Sequence, residues 1–436
     1  MATGSRSEEI EYVAGRLLID PARPPEPGWL RIAGGRIVDM GFADLPPSGP
    51  PDLGGADRVI SPAFIDAHLH IPQIDAVGCD GLPLLEWLDR VVFPSEAWWG
   101  RGRALHDART AARRMAREGT VGAAVYLSSH PDASAEALGL LARLPMRWLA
   151  GRVAMDRRAP EALIEPDRAR AARRPVPSVG AARPAEAGRL TVSLNPRFAV
   201  SCSDELLAEV GWAVRDGAAR GATPWVQTHV SEAVEECRLV AELFPDSASY
   251  TDVYDRFGLL TERTLLAHGV HLSEAELRLI ARRGSVLVHC PTANTFLRAG
   301  MFDLGAARRA GVRLALGSDV AGGPDVAMPR VARGMIEVAK ARAMAGLEAE
   351  IPRPAEAWRM ITRGNADALG WSDGGRLEVG AAADLLVLAP PASWLDEHLI
   401  GRLIYNWTSD LIEARVFAGR RVDPARIADG PPAAGM

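Results

Sequence analysis

Histidines near the ends of short apolar runs are the first sign of chemistry in this sequence. The chain has nine histidines, and five of them occupy such positions: His68, His70, His229, His268 and His289. Side chains alternate between the two faces of a strand. In Asp66-Ala67-His68-Leu69-His70, the side chains of Asp66, His68 and His70 therefore lie on one face. Two adjacent imidazoles provide half of a metal site, although the same tripeptide also occurs as a pair of buried structural histidines.

The other half of a metal site comes from two later runs. His229 ends the fifth apolar run and Asp319 ends the eighth, so the chain offers three imidazoles and one carboxylate. This donor set suits Zn²⁺, with Fe²⁺ as the alternative. A catalytic zinc keeps one position open for a water, which becomes acidic enough to attack at neutral pH. The pattern therefore predicts a metal that activates water.

Two further residues are candidates for proton transfer. Glu232 follows His229 by three residues and is expected just beyond the strand end, where it would act as general acid and base. Carboxylates also favour helix N-termini, so a solvated Glu232 at the start of a helix is the alternative. His268 is expected to polarise the water or the leaving group, unless it is simply a buried residue.

The elements that must position these residues alternate along the chain. Eight short apolar runs separate longer segments of helical period, a pattern typical of repeated β-α units around a parallel sheet. The runs end near His70, Leu127, Met155, Phe198, His229, His268, His289 and Asp319. Helical periodicity predicts helices over 203–220, 232–244, 273–283 and 327–345. The fold class is therefore α/β, a (β/α)₈ TIM barrel whose strands carry the chemistry at their C-terminal ends.

Both ends of the chain show short strand patterns instead. Residues 28–32 and 36–40 alternate around Gly34-Gly35, which predicts a hairpin, and 384–388 and 413–417 are similar short strands. The two ends are expected to pair into a small β-sandwich domain. The predicted boundaries are 1–61 for its N-terminal part, 62–376 for the barrel and 377–436 for its C-terminal part. The segment 159–187, rich in Arg, Ala and Pro, is predicted to be a mobile excursion.

Composition excludes several classes of function. The 436 residues include 50 basic and 55 acidic ones, interspersed, so no basic stripe indicates a nucleic-acid partner. No apolar run approaches the roughly 18 residues that a membrane span needs. Residues 1–10 lack the apolar centre of a secretory signal, which favours a cytoplasmic protein. The four cysteines are widely separated, so neither a disulfide scaffold nor a four-cysteine zinc site is expected.

The near absence of lysine bears on the number of metals. Only Lys340 is a lysine, and it follows the eighth run. Two-metal barrels of this kind use a carbamylated lysine on a middle strand, so a single metal is expected. No Pro-Cys-x-x-Cys occurs either, which excludes the zinc deaminases that carry that motif.

Taken together, these motifs resemble the deaminase branch of the amidohydrolase superfamily, and most closely its guanine deaminase family. The superfamily motifs are Phe64-Ile65-Asp66-Ala67-His68-Leu69-His70, His229-Val230-Ser231-Glu232, His268-Gly269 and Ser318-Asp319. The narrower motifs are His70-Ile71-Pro72-Gln73, Phe93-Pro94-Ser95-Glu96, Pro196-Arg197-Phe198 and Cys290-Pro291-Thr292. The resemblance covers nearly the whole chain.

The resemblance implies an enzyme that holds one zinc per chain and hydrolyses guanine to xanthine and ammonia in purine catabolism, as a homodimer. It implies zinc ligation by His68, His70, His229 and Asp319. It assigns the chemistry to Glu232, His268 and Asp319, and base binding to Gln73, Arg197 and Phe198. An arginine fork can donate to O6 and N7 of guanine, and a phenylalanine can stack on the purine. An ion-paired barrel arginine and a core aromatic are the structural alternatives.

Two departures from the family pattern leave the substrate open. Residues 295–298, Thr-Phe-Leu-Arg, add bulk and the charge of Arg298 to a loop expected to border the pocket, and Ala63 replaces a usual glycine. A related ring such as 8-oxoguanine, a pterin or an aminotriazine is therefore an alternative. A non-catalytic assembly protein with the same barrel is a further alternative, against which the complete ligand set argues. Trp87 is predicted to be helix core and not a substrate contact.

Overall fold

Two β-sheets organise the chain in the computed structural model, which describes residues 9–42, 49–164 and 189–429. One sheet has eight strands and the other has seven. Residues 165–187 of the predicted mobile excursion lie outside the described residues.

The eight-stranded sheet is the predicted barrel. Its neighbours pair in parallel and in chain order, which places all the C-terminal strand ends on one face. The strands are β5 (Phe64–His70), β6 (Thr120–Leu127), β7 (Arg147–Ala154), β8 (Leu190–Pro196), β9 (Trp225–Val230), β10 (Thr264–His268), β11 (Val286–His289) and β12 (Arg313–Leu316). Most are buried along their length, as strands covered on both faces must be. All eight predicted runs are confirmed.

Helices fill the connections between the strands. Their bounds are Leu84–Trp87, Phe93–Ala97, Ala104–Arg117, Pro131–Leu141, Asp204–Ala219, Val234–Leu243, Tyr250–Arg256, Glu274–Arg283, Pro291–Phe296, Leu304–Arg309, Met328–Met344, Pro354–Arg359, Asn365–Ala368 and Leu399–Tyr405. The hydroxyl of Ser203 caps one helix by accepting from Leu206 N, and Ser273 caps another by accepting from Glu276 N. The four helices predicted from periodicity are confirmed with small shifts at their ends.

A single asparagine joins the first barrel strand to the last. The Asn365 side chain accepts a hydrogen bond from Leu316 N at 2.9 Å and donates to Leu316 O at 2.8 Å and to Ile65 O at 2.6 Å. Beyond this bridge, Asp319 N donates to His68 O and His70 N donates to Val320 O. The barrel is therefore nearly closed through side-chain and loop hydrogen bonds between β5 and β12.

The seven-stranded sheet combines both chain ends, as predicted. Its order is β15-β14-β13-β4-β1-β2-β3, with an antiparallel β13–β4 pair that joins the C-terminal part to the N-terminal part. The strands are β1 (Tyr12–Leu17), β2 (Glu26–Ala33), β3 (Arg36–Phe42), β4 (Leu53–Pro62), β13 (Leu385–Leu388), β14 (Ile412–Phe417) and β15 (Arg420–Arg421). The hairpin turn uses Gly34 and Gly35 at φ of 56° and 74°, a conformation that glycine adopts readily.

The fold class is therefore confirmed as an α/β barrel with a small β domain from both termini. The small sheet has its own hydrophobic cluster, which includes Val13, Leu30, Ile37, Leu385 and Val416. The exact boundaries at 61/62 and 376/377 stay a prediction. Within the described residues, no helix is both long enough and apolar enough to cross a bilayer.

Replacing Asn365 with alanine should weaken the barrel closure. The change leaves the N–H and C=O of Leu316 and the C=O of Ile65 without their side-chain partner in a buried place. Each of these three unpaired groups costs about 1–3 kcal/mol, so we expect the free energy of unfolding in urea to fall by at least about 3 kcal/mol. Asn406→Ala, at an exposed asparagine that binds Arg402 O, is the matched control. Equal unfolding midpoints for the two variants would contradict this role of Asn365.

Candidate active site

The predicted metal ligands meet at the C-terminal face of the barrel. His68 and His70 come from β5, His229 comes from β9, and Asp319 lies in the loop after β12. Asp319 Oδ1 is 3.1 Å from His68 Nε2 and 3.4 Å from His70 Nε2. His70 Nε2 is 3.1 Å from His229 Nε2. The structure thus brings together all four residues, which the sequence placed on three different apolar runs.

These distances fit a shared cation. Four ligands at the 2.0–2.1 Å typical of zinc lie about 3.3 Å from one another in a tetrahedron. His229 Nδ1 donates to Arg197 O at 2.6 Å, so the neutral ring leaves its Nε2 with a lone pair. His68 Nε2 is buried without a hydrogen-bond partner, and it faces Asp319 together with His70. The donor atoms therefore point at one place with lone pairs available.

Burial shifts the ionisation of the same four groups. Desolvation holds the pKa of His68, His70 and His229 well below the usual value, and neighbouring imidazoles and Arg197 act in the same direction. Desolvation also raises the pKa of Asp319 to about 6. Neutral imidazoles are the form that binds metals. The site therefore holds its imidazoles in the ligand form at neutral pH.

The loops that carry the polar residues have unusual backbone conformations. Ser231, His268 and Asp319 have φ of 47°, 74° and 51°, in the left-handed region that costs energy for non-glycine residues. Asp66 helps to hold one of these loops. Its carboxylate accepts from Ser318 N at 2.9 Å, from Ser318 Oγ at 2.5 Å and from His68 N at 3.1 Å. Asp66 thus ties β5 to the loop of Asp319 and does not join the ligand group.

Glu232 and His268 lie beside the four ligands, as predicted. Glu232 Oε2 is 3.4 Å from His268 Nε2, which is 3.8 Å from Asp319 Oδ2. Burial, with Asp319 and Glu236 adding to it, raises the pKa of Glu232 well above its usual value. A carboxyl group with a raised pKa can both take up and release a proton near neutrality.

Two residues that the sequence did not reveal hold this pair in place. His268 Nδ1 donates to Asn294 Oδ1 at 2.9 Å, which leaves Nε2 facing Glu232. The buried carboxylate of Glu236 accepts from Glu232 N at 2.8 Å, from Ala233 N at 3.1 Å and from Tyr250 Oη at 2.6 Å. Glu236 is at the third position of its helix, where a glutamate often closes the N-terminus, so the sequence did contain that signal.

The predicted base-binding residues line the same cavity as the ligand cluster. Gln73, Arg197 and Phe198 border it together with His70, His229, Glu232, His268 and Asp319. Apolar side chains complete the lining: Leu84, Trp87, Leu88 and Leu297. The cavity lining therefore combines polar and apolar side chains, as small-molecule sites commonly do.

Behind the cavity, one buried carboxylate holds two of the base-binding residues. Both oxygens of Glu96 accept from Arg197 Nη1, at 2.6 Å and 2.8 Å, and Glu96 Oε1 also accepts from Gln73 Nε2 at 3.1 Å. The Arg197 guanidinium lies over the ring of Phe93, with its carbon 5.5 Å from the ring centroid. Arg197 is thus an ion-paired barrel arginine, which was the structural alternative to base binding, and it borders the cavity as well.

Comparison with known proteins places the chain in a family. The amidohydrolase family profile matches residues 59–421, most of the chain. The chain belongs to the amidohydrolase family. The guanine deaminase of Mus musculus is 31% identical over 379 residues, which cover 83% of this amidohydrolase and 82% of the mouse protein. The guanine deaminase of Escherichia coli (strain K12) is 33% identical over 345 residues, 78% of this chain and 75% of that protein.

Solved structures resemble this amidohydrolase as a whole. The guanine deaminase from C. acetobutylicum, with guanine bound in its active site, superposes with a TM-score of 0.84 at 25% identity, covering 95% of this chain and 100% of that one. An adenosine deaminase from Xanthomonas campestris with bound zinc shares the fold, with a TM-score of 0.77 at 23% identity over 97% of both chains. The predicted resemblance to guanine deaminases is confirmed, and this amidohydrolase is a guanine deaminase-like hydrolase.

The core position predicted for Trp87 is confirmed, and one expectation about the pocket, the placement of Arg298, needs correction. Trp87 is buried, as predicted, and its Nε1 donates to Cys79 O at 3.0 Å, but its side chain also borders the cavity of the amidohydrolase. Arg298 was expected to bring its charge to the pocket. It is exposed and donates to Gly81 O at 3.3 Å, while the same loop contributes Leu297 to the lining. The backbone after Leu297 turns Arg298 away, at a φ of 55°.

Metal analysis tests the ligand cluster directly. We expect the purified amidohydrolase to hold about one divalent metal per chain by elemental analysis, because one complete donor set is present. His229→Ala should lose that metal, since two imidazoles and a carboxylate bind less tightly than the full set. His271→Ala is the control, because His271 Nε2 binds Ala299 O in a nearby loop. A metal retained in His229→Ala, or two tightly bound metals in the native chain, would refute the single site.

Proposed function

We propose that this amidohydrolase is a zinc-dependent guanine deaminase, which hydrolyses guanine to xanthine and ammonia. One observation carries the proposal: a metal-fitting donor set, a buried acid–base carboxyl group and a donor-bearing arginine all border one small cavity. The relatives named guanine deaminase support it, since they cover most of this chain. The structure from C. acetobutylicum with bound guanine supports the same substrate.

Three imidazoles and one carboxylate support zinc as the metal, with Fe²⁺ as the alternative. His68, His70, His229 and Asp319 would hold it. When bound, the metal would acidify a water and so supply a nucleophile at neutral pH. All four residues are buried, which strengthens the electrostatic interactions among them.

Proton transfer is assigned to Glu232. Its carboxylate accepts a proton from the attacking water and delivers it to the ring nitrogen beside the amino-bearing carbon. The carbon–oxygen bond forms first. The new hydroxyl then gives its remaining proton, through Glu232, to the amine, and the carbon–nitrogen bond breaks as ammonia leaves and the carbonyl of xanthine forms. His268, with Nδ1 held by Asn294, presents Nε2 beside Glu232 and Asp319 and can stabilise charge on the attacking oxygen. Guanine and water are thus converted to xanthine and ammonia with atoms in balance.

Recognition of the ring is assigned to Arg197, Gln73 and Phe198. Both bonds of Arg197 to Glu96 use Nη1, which leaves the Nη2 side of the fork to donate to a ring carbonyl. Phe198 is available to stack on the flat ring, and the apolar side chains of Leu84, Trp87 and Leu297 would exclude water from it. A carbonyl-bearing purine satisfies this pocket.

Related rings are the alternative substrates. The 8-oxoguanine, pterin and aminotriazine alternatives all present a carbonyl or amine to the same donors, but no observation favours them over guanine. A non-catalytic assembly role would leave the buried carboxyl group of Glu232 without a purpose. Purine catabolism, a homodimer and a cytoplasmic location stay predictions.

A substrate panel tests the proposed activity. We expect ammonia release from guanine with a higher kcat/KM than from adenine, 8-oxoguanine, isoxanthopterin or ammelide. Adenine should be at least about 10³-fold worse, because its amino group would face a buried donor that then lacks a partner. Xanthine should appear in a one-to-one ratio with ammonia. A higher kcat/KM for any other ring would replace guanine as the substrate and leave the metal chemistry in place.

The role of Glu232 is tested by substitution. Glu232→Gln keeps the shape of the side chain but cannot carry the proton, so kcat should fall by roughly 10²–10⁴. The bound metal should stay at the native level, because Glu232 is outside the set of four ligands. Glu235→Gln, at an exposed glutamate on the helix Val234–Leu243 that follows Glu232, is the control and should keep native kcat. Near-native kcat in Glu232→Gln would remove this residue from the reaction.

A further inference from the structure

Glu96 has no contact with the cavity, yet it determines how the cavity presents two of its side chains. It is fully buried, at 0% exposure, on the helix Phe93–Ala97. It binds Arg197 through both carboxylate oxygens and Gln73 through one of them. Both partners line the cavity, and Glu96 does not. Any effect of Glu96 on a ligand must therefore pass through Arg197 and Gln73.

The Gln73 amide has its orientation set at both ends. A carboxylate has no proton to donate, so the end of the amide that faces Glu96 must be the NH₂ group. The other end, Oε1, is 3.5 Å from Ala321 N, which can only donate. A free glutamine amide can rotate so that its oxygen and nitrogen exchange places with little change in shape. It can therefore bind a ring edge that donates hydrogen bonds or one that accepts them. Here, a turned amide would place donor against donor at Ala321 and acceptor against acceptor at Glu96.

Arg197 adds a second constraint of the same kind. A guanidinium donates and never accepts, and this one is buried with 3% of its surface exposed. An unpaired buried charge is costly, so the Glu96 carboxylate is what allows a charged donor to stay beside the cavity. Phe93, from the same helix as Glu96, packs against the guanidinium face. One short helix thus holds the arginine by charge and by stacking.

We propose that Glu96 is a positioning residue that sets the substrate specificity of the pocket: by holding Arg197 and Gln73 on one carboxylate, it selects a ring that carries a carbonyl over the same ring with an amino group in its place. This inference rests on the proposed deaminase function, and it identifies the ring carbonyl as the feature of the substrate that the pocket recognises. On the amino-substituted ring, the amino group is a hydrogen-bond donor and faces a side-chain donor of Arg197 or Gln73 that is fixed in place. Neither side chain can rotate to present an acceptor to it.

The matched pair of substrates is guanine and 2,6-diaminopurine. Both carry the same leaving amine at C2, and they differ at C6, where one has a carbonyl and the other an amino group. Sites that hydrogen-bond a substrate group reject analogues that lack it by up to about 10⁴–10⁵. We expect the native enzyme to favour guanine by at least about 10³ in kcat/KM, measured by ammonia release from metal-loaded protein.

Glu96→Gln is the decisive variant. An amide at position 96 can donate as well as accept, so Gln73 gains a second allowed orientation. The ratio of the two kcat/KM values should fall at least about 10-fold, through a loss with guanine and a relative gain with 2,6-diaminopurine. Glu86→Gln, at an exposed glutamate on the neighbouring helix Leu84–Trp87, should leave the ratio unchanged. If Glu96→Gln lowers both values equally, Glu96 only supports the fold and the inference is wrong.

A second variant covers the case in which Glu96→Gln does not fold. Glu96→Asp keeps the charge for Arg197 but is one methylene shorter, so it cannot reach both partners at their present distances. The guanine preference should fall by about 3- to 10-fold in this variant, and an unchanged ratio would overturn the inference. In a Gln73→Leu background, Glu96→Gln should change the ratio by less than about 3-fold, because the amide that it releases is gone. A full effect in that background would also overturn the inference.

Failure of the proposed function gives a different result. In that case the native enzyme releases no ammonia from guanine but acts on another ring of the panel. The same comparison is then made with the carbonyl and amino forms of that ring. A ratio that collapses in Glu96→Gln supports the positioning role of Glu96, and a ratio that persists overturns it.

Discussion

Four imidazoles and two carboxyl groups are crowded at the barrel mouth, away from water, and the rest of the site is arranged around this burial. His70 Nε2 and His229 Nε2 lie 3.1 Å apart and would repel each other if both imidazoles were protonated. Desolvation prevents this by lowering the pKa of His68, His70 and His229. The same desolvation raises the pKa of Asp319 and Glu232, which disfavours two carboxylates side by side. A divalent cation held by these residues would compensate the charge that remains on Asp319 and would leave Glu232 to carry a proton.

A second layer of polar groups makes this burial tolerable. Asp66 holds Ser318, Asn294 holds His268, Glu236 holds the backbone of Glu232, and Glu96 holds Arg197. Each supporting group is buried and hydrogen-bonded, so the reacting side chains are kept in place without contact with water. Side chains at the strand ends and in the loops just after them face the cavity. Three of their four partners lie on helices that follow the strands, and the fourth, Asp66, lies on β5.

The barrel, and the meeting of His68, His70, His229 and Asp319 at its mouth, could be predicted from sequence because both depend on local order. Alternation of runs determines where the strand ends lie, and residue type at those ends predicts the ligands. Most of the second layer could not be predicted in the same way, because, apart from Glu236 and Glu232, its partners are distant in the chain. Glu96 and Arg197 are separated by 101 residues, and nothing near Glu96 in the sequence indicates that an arginine will be placed against it. The helical neighbours of Trp87 in the sequence indicate a core position, whereas its place at the cavity depends on how that helix packs.

The small sheet is coupled to the metal site through the chain itself. β4 belongs to the small sheet and ends at Pro62, and one residue separates it from β5. β5 carries two of the four candidate metal ligands. Between them Ala63 N donates to Asp384 O, next to β13. The Asp384 carboxylate in turn pairs with Arg147 on β7 and with Arg189. The C-terminal segment thus anchors the start of the first barrel strand from the side opposite the cavity. Because the ligand atoms need a precision of tenths of an ångström, a strand fixed at both ends holds His68 and His70 better than one fixed by the barrel alone.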